Sequence, residues 1–142
     1  MRLPDLNMVV ARLQELLGLR DWAISVSWVD NLRHPETGQQ VWGLCTSLPQ
    51  ARKASLQVCT PKTAEDLEEL AETVVHEVTH VLLAPAQIPV MIEEQIVWAL
   101  SPILATHQDV APLFARVAAR VKARRGRTKN RRAKARNYGG VM

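Results

Sequence analysis

The stretch from Glu65 to Ala84, EDLEELAETVVHEVTHVLLA, limits the fold of this chain more than any other segment. Its apolar residues Leu67, Leu70, Ala71, Val74, Val75, Val78, Val81 and Leu82 recur at helical spacing and predict one amphipathic helix with a broad core stripe. Glu69, Thr73, His76 and His80 fall on a more polar face of that helix. Within it, His76, Glu77 and His80 spell H-E-x-x-H. Residues four apart on a helix are neighbours on one face, so both imidazoles can reach one ion with Glu77 beside them. This is the pattern of a catalytic zinc site.

The flanking sequence fits a helix of this length. Pro61 ends the preceding segment, and Thr63 followed by Asp66 forms a capping box with Asp in place of the usual Glu. Pro85 and Pro89 close the helix. Upstream, residues 5 to 18 place Leu6, Val9, Val10, Leu13, Leu16 and Leu17 on one helical face, with Asp5 as N-cap and Gly18 as stop signal. Trp22 to Val29 alternates as a half-buried strand does, with Trp22, Ile24, Val26 and Trp28 on the core side. Asp30 to Gln40 reads as a loop, and Val41 to Ser47 and Ser55 to Thr60 as two further strands around a turn. A second helix is predicted over about Val90 to Leu104, and a third over about Pro112 to Lys122. The expected class is therefore α+β, with a small, mostly antiparallel sheet packed on the H-E-x-x-H helix and a glutamate-bearing helix after it.

At 142 residues, 47% of them hydrophobic, the chain has the material for one core. It has no run of eighteen apolar residues, and Pro4, Asp5 and Asn7 interrupt its start. The expectation is a protein inside the cell with no membrane segment and no secretory signal. Cys45 and Cys59 are too few for a disulfide framework and form no C-x-x-C, so they read as reduced, partly buried thiols.

The net charge of +4 conceals two regions of opposite sign. From Arg116 onward there are 11 Lys and Arg and no acid, which leaves 7 bases against 14 acids, a formal −7, in residues 1 to 115. The boundary is placed between a domain of residues 1–123 and a basic tail, 124–142, with almost nothing apolar to bury and expected to lack fixed structure when unbound. Such a tail binds phosphate backbones by counterion release, without sequence preference. The same charge equally suits a solvated extension that touches the acidic body or another protein.

Catalytic zinc takes three protein ligands and a water. A metzincin extension would need Gly at 83 and His at 86, where the chain has Leu83 and Ala86. His107 and His34 are the remaining histidines, His34 in a predicted loop and His107 near a predicted helix end. Glu93 and Glu94 open the next helix shortly after the Pro85 to Pro89 turn, the favoured place for the third ligand.

VVHEVTHVLLAP followed by EEQIVWALSPIL, preceded by Trp28 and Gly43 in short strands, resembles gluzincin-type zinc metallopeptidases, in particular the small zincin-like metallopeptidase proteins of phage and bacterial origin. The resemblance covers roughly residues 22 to 104. It implies that the ligand glutamate is followed by a large apolar residue six positions on and a small one seven on. Glu94 has Leu100 and Ser101 there, whereas Glu93 has Ala99 and Leu100, so Glu94 is the implied ligand. Many such proteins carry Asp or Asn four residues later to orient a ligand histidine; this chain has Trp98, so another group must hold His76 or His80.

The implied activity is hydrolysis of peptide bonds in a protein or peptide substrate, with Glu77 as the base that takes a proton from a zinc-activated water. Substrate would add as a strand along a sheet edge, for which Ala54 to Val58 is the expected segment. Two other classes are open: a nucleic-acid-binding protein with structural zinc, and a virion or assembly component on a retired peptidase scaffold.

Overall fold

A computed structural model describes the backbone of residues 6–139, and the side chains of the last helix as far as Arg124. The order of elements is α1 (Asn7–Leu17), β1 (Ala23–Val29), β2 (Gly43–Leu48), β3 (Lys53–Cys59), α2 (Ala64–Leu83), α3 (Val90–Ala105) and α4 (Ala111–Gly139). The fold is α+β: four helices and a three-stranded sheet among the described residues. None of these helices is long and apolar enough to cross a membrane.

The sheet departs from the expected mostly antiparallel arrangement. Its order is β1-β3-β2, with β1 parallel to β3 and β2 antiparallel to it. The long connection between β1 and β2 carries the chain past the place where β3 later inserts. β3 is the strand with most to bury, since Ala54, Leu56, Val58 and Cys59 are all inside. A strand covered in this way belongs in the centre of a sheet. Ala54 to Val58 therefore cannot be the edge that accepts a substrate strand, because both of its sides are already paired. β2 is the edge on the side of the H-E-x-x-H helix.

Helix α2 is the hub, in contact with α1, α3, α4, β2 and β3. It starts as the sequence predicts: Thr63 Oγ1 accepts from the Asp66 amide at 3.1 Å, and Asp66 Oδ2 accepts from the Thr63 and Lys62 amides at 3.1 and 2.8 Å. An aspartate can close the box because its Oδ2 takes both amides. Val74, Val75, Val78 and Val81 have no exposed surface and form the centre of the core with Leu56, Val58, Val10 and Leu13. Thr79, equally buried, turns its hydroxyl back to the Val75 carbonyl at 2.7 Å, so no polar atom is stranded there. The helix ends at Leu83, and a short 3₁₀ turn, Ala84–Ala86, leads to left-handed Gln87 and to Pro89, the first flanking residue of α3.

Two terminal expectations read differently. Leu6 flanks α1 on its N-terminal side with no side-chain cap, and Asp5, the expected cap, lies outside the described residues. Helix α4 does not stop near Lys122 but runs to Gly139 through the basic segment. Ala, Arg and Lys are strong helix formers, and the start of α4 is anchored in the core by Phe114, Val117 and Val121.

Leu56 lies in the central strand, fully enclosed. Leu56→Ala is expected to lower the unfolding free energy by about 2–5 kcal/mol, read from denaturant titration with an unchanged m-value.

Candidate metal centre

His76 and His80 leave α2 one turn apart, towards the N-terminal turn of α3. One atom each of His76, His80 and Glu94 lies within 4.8 Å of the other two. The His76 and His80 Nε2 atoms are 3.3 Å apart, and His80 Nε2 is 3.2 Å from Glu94 Oε1. His76 Nε2 lies 3.8 Å from Glu94 Oε2. Zinc–donor bonds of 2.0–2.1 Å at tetrahedral angles place neighbouring donor atoms about 3.3 Å apart. The two imidazole nitrogens have that spacing, and the Glu94 carboxylate stands against both, with Oε1 nearer His80 and Oε2 nearer His76. Two imidazole nitrogens and a carboxylate oxygen are a donor set that suits zinc.

Glu93 has a different position. Its Oε2 stands 2.9 Å from His80 Nδ1, on the other side of the ring from the cluster. With the proton on Nδ1, His80 donates to this carboxylate and turns the lone pair of Nε2 towards His76 and Glu94. Glu93, a rival ligand by its place in the sequence, is thus the carboxylate against the outer nitrogen of His80, where the sequence offers no evident partner for a histidine. Consecutive residues on a helix diverge by about 100°, which lets Glu93 and Glu94 approach the two nitrogens of one ring from different sides. The ring of Trp98, in the place of the absent acid, meets His76 edge to face at 4.9 Å between centroids.

Glu77 is buried at 9% exposure and lines a cleft of about 420 Å³ bounded by β2, α2 and Trp98. It makes no hydrogen bond with any described residue. Burial raises its carboxyl to about 7; the neighbouring His80 lowers it and Glu94 adds to the rise. A carboxyl that titrates near neutrality is suited to take and return a proton. His76 is held below its ordinary value, first by burial and then by His80, with Glu94 opposing. This shift favours the neutral imidazole, the form that ligates a metal.

β2 supplies the opposite wall. A Cβ on Gly43 would meet Glu77 Cγ at 2.9 Å and Thr73 Cγ2 at 3.0 Å, so only glycine lets the strand pass so close to the carboxylate. Cys45, two residues on, has its thiol pushed up to about 12 by burial, then by Glu77 and Glu93. Cys45 does not belong to the His76, His80 and Glu94 cluster. Trp42 and Cys45 were not read as neighbours of the site, because no local pattern tells which strand stands opposite the histidines.

The other histidines are elsewhere. His34 Nδ1 accepts the amides of Glu36 and Thr37 within its loop, and His107 Nδ1 accepts the Asp109 amide between α3 and α4. Neither belongs to the cluster. A larger hollow of about 490 Å³ lies at the Lys53 end of the sheet, lined by Ile24, Thr46 and Ser55 among others, and holds none of these groups. Comparison with protein-family models, with curated proteins and with solved structures returned no match to this chain.

The raised Glu77 sets a pH dependence on the metal-free protein. Its folded value lies above its ordinary 4.5, so its stabilising contribution is complete below pH 4.5 and is lost as pH rises through 7. Chelator-treated wild type should therefore lose on the order of 2–3 kcal/mol relative to Glu77→Gln between those limits, measured by urea unfolding of both proteins. His76 acts in the opposite sense in both, and the comparison removes it.

Proposed function

We propose that this chain is a zinc-dependent hydrolase of peptide bonds, with His76, His80 and Glu94 as ligands and Glu77 as general base. The observation that carries the reading is the convergence of two imidazole nitrogens, 3.3 Å apart, on the Glu94 carboxylate, whose two oxygens lie 3.2 Å from His80 and 3.8 Å from His76, beside a buried carboxyl pushed up to about 7. Zinc bound there would acidify a water and polarise a carbonyl. The protein's own groups do the rest. Glu77 takes the water's proton at its carboxylate and returns it to the leaving amine. Glu93 fixes the tautomer of His80. Trp98 limits the rotation of the His76 ring. The free edge of β2, which passes Glu77 at Gly43, is where a substrate strand would pair, in place of the Ala54 to Val58 segment. A zincin-like relationship is part of this proposal.

Metal analysis with activity tests it. Purified wild type should hold about one zinc per chain, as one set of three ligands predicts. Glu94→Ala should lose the metal. Glu93→Gln should keep it with about 10–100-fold weaker affinity, as expected for the removal of a partner that orients a ligand. Glu77→Gln should retain zinc and lose cleavage of a casein-derived peptide mixture. Wild type that takes up no zinc even when it is supplied would end this reading.

A second reading concerns α4. Past the enclosed Val121 the helix continues for eighteen residues to Gly139, roughly 27 Å of backbone at 1.5 Å per residue. The chain over that length is rich in Lys and Arg and has no acid. This supports non-specific contact with nucleic-acid phosphates. Removal of residues 124–142 should then abolish retention on a DNA column at low salt, and full-length protein should elute steeply as salt rises.

A further inference from the structure

The cleft beside Glu77 has a chemical bias of its own. Glu69 and Glu72 line it from α2, Trp42 from the segment before β2, and Trp98 from α3, and among the described residues no Lys or Arg borders it. Glu69, Glu72 and His76 lie on one side of α2, which puts the two carboxylates about 10 and 6 Å along the axis from the histidine. Neither glutamate makes a hydrogen bond or an ion pair among the described residues. Both indoles are open to solvent, Trp42 at 46% and Trp98 at 62% exposure. Glu77, nine-tenths buried and with no hydrogen-bond partner among the described residues, faces the same space. The site therefore contains two unpaired anions, two aromatic rings and a buried carboxylate around one cavity.

We infer that this cleft takes a lysine or arginine side chain of the substrate, and that the proposed peptidase favours bonds flanked by basic residues. A cleft lined by one sign of charge with apolar walls concentrates its field and draws the opposite charge in. Indole faces add a cation–π attraction that carboxylates alone do not supply. An extended substrate along the edge of β2 advances about 3.3 Å per residue, so Glu72 and Glu69 stand opposite positions about two and three residues from the bond at Glu77. An acidic side chain in those positions would meet like charges. The inference rests on the peptidase reading and names its substrate class.

Zinc-loaded full-length protein would be tested on matched octapeptides with Arg, Gln or Glu scanned through the three positions on either side of the cleaved bond. Arg two or three residues from the bond should raise kcat/KM about tenfold over Glu, the scale expected of two exposed charge pairs with a cation–π contact. In Glu69→Gln/Glu72→Gln that ratio should collapse towards one at unchanged zinc content, and in wild type it should shrink as salt rises. In parallel, fluorescence polarisation with Glu77→Gln protein should show labelled Arg peptides bound more tightly than Glu peptides. Equal cleavage of Arg and Glu peptides, or equal binding, overturns the inference and leaves the peptidase reading intact. Preferential Arg binding with no hydrolysis of any peptide by wild type overturns the peptidase reading, and the cationic preference of the cleft stands.

Discussion

The structure depends on a single helix that is buried on nearly every side and still presents two histidines to a cleft. Helix α2 supplies the valines at the centre of the core and the residues of the candidate site from the same twenty positions. These tasks are compatible because a helix separates its faces every few residues. Val74, Val75, Val78 and Val81 point into the core, while His76, Glu77 and His80 turn towards β2 and α3. The valine packing holds the backbone from which the imidazoles leave. A loss of packing and a misplacement of the histidines are thus linked.

The close approach of β2 follows from the same arrangement. A strand that passes a buried carboxylate leaves it little water, and the absence of a side chain at Gly43 sets how near it comes. Burial then raises Glu77 to about 7 and Cys45 to about 12. The electrostatics of the site are produced largely by desolvation, with neighbouring charges second in importance for both groups. The two effects have different uses: a carboxyl near neutrality exchanges protons, and a thiol near 12 stays inert.

What was legible in the sequence is what local spacing determines. The Thr63 and Asp66 box, the length of α2 and the pairing of His76 with His80 all follow from periods of three and four residues. The strand segments were also legible, because Trp22, Ile24, Val26 and Trp28 alternate with small residues. Strand order was not. Whether β2 lies between β1 and β3 or outside β3 depends on which strand most needs covering on both sides, a comparison across the sheet that no window of residues contains. The identity of the substrate edge failed with it. The long α4 was missed for a different reason: high charge suggested a chain that cannot bury enough to fold, whereas the same residues have high intrinsic helix propensity and continue a helix already nucleated in the core.

The positions of Glu93 and Glu94 show how one turn of helix can flank a histidine ring on two sides. Adjacent glutamates cannot share a direction, so either both miss the histidines or each finds a different side of one ring. Here the rotation of α3 about its axis decides. Val97, Ser101 and Ala105 face inward at intervals of four, and Ser101 returns its hydroxyl to the Val97 carbonyl at 2.6 Å, which keeps that face dry. With this face inward, Glu93 meets His80 Nδ1, Glu94 meets the two Nε2 atoms and Trp98 rests against His76. A turn of α3 large enough to move Glu94 away would also release His80 from Glu93 and His76 from Trp98. The three contacts are thus set together, by the buried residues Val97, Ser101 and Ala105 one to three turns away.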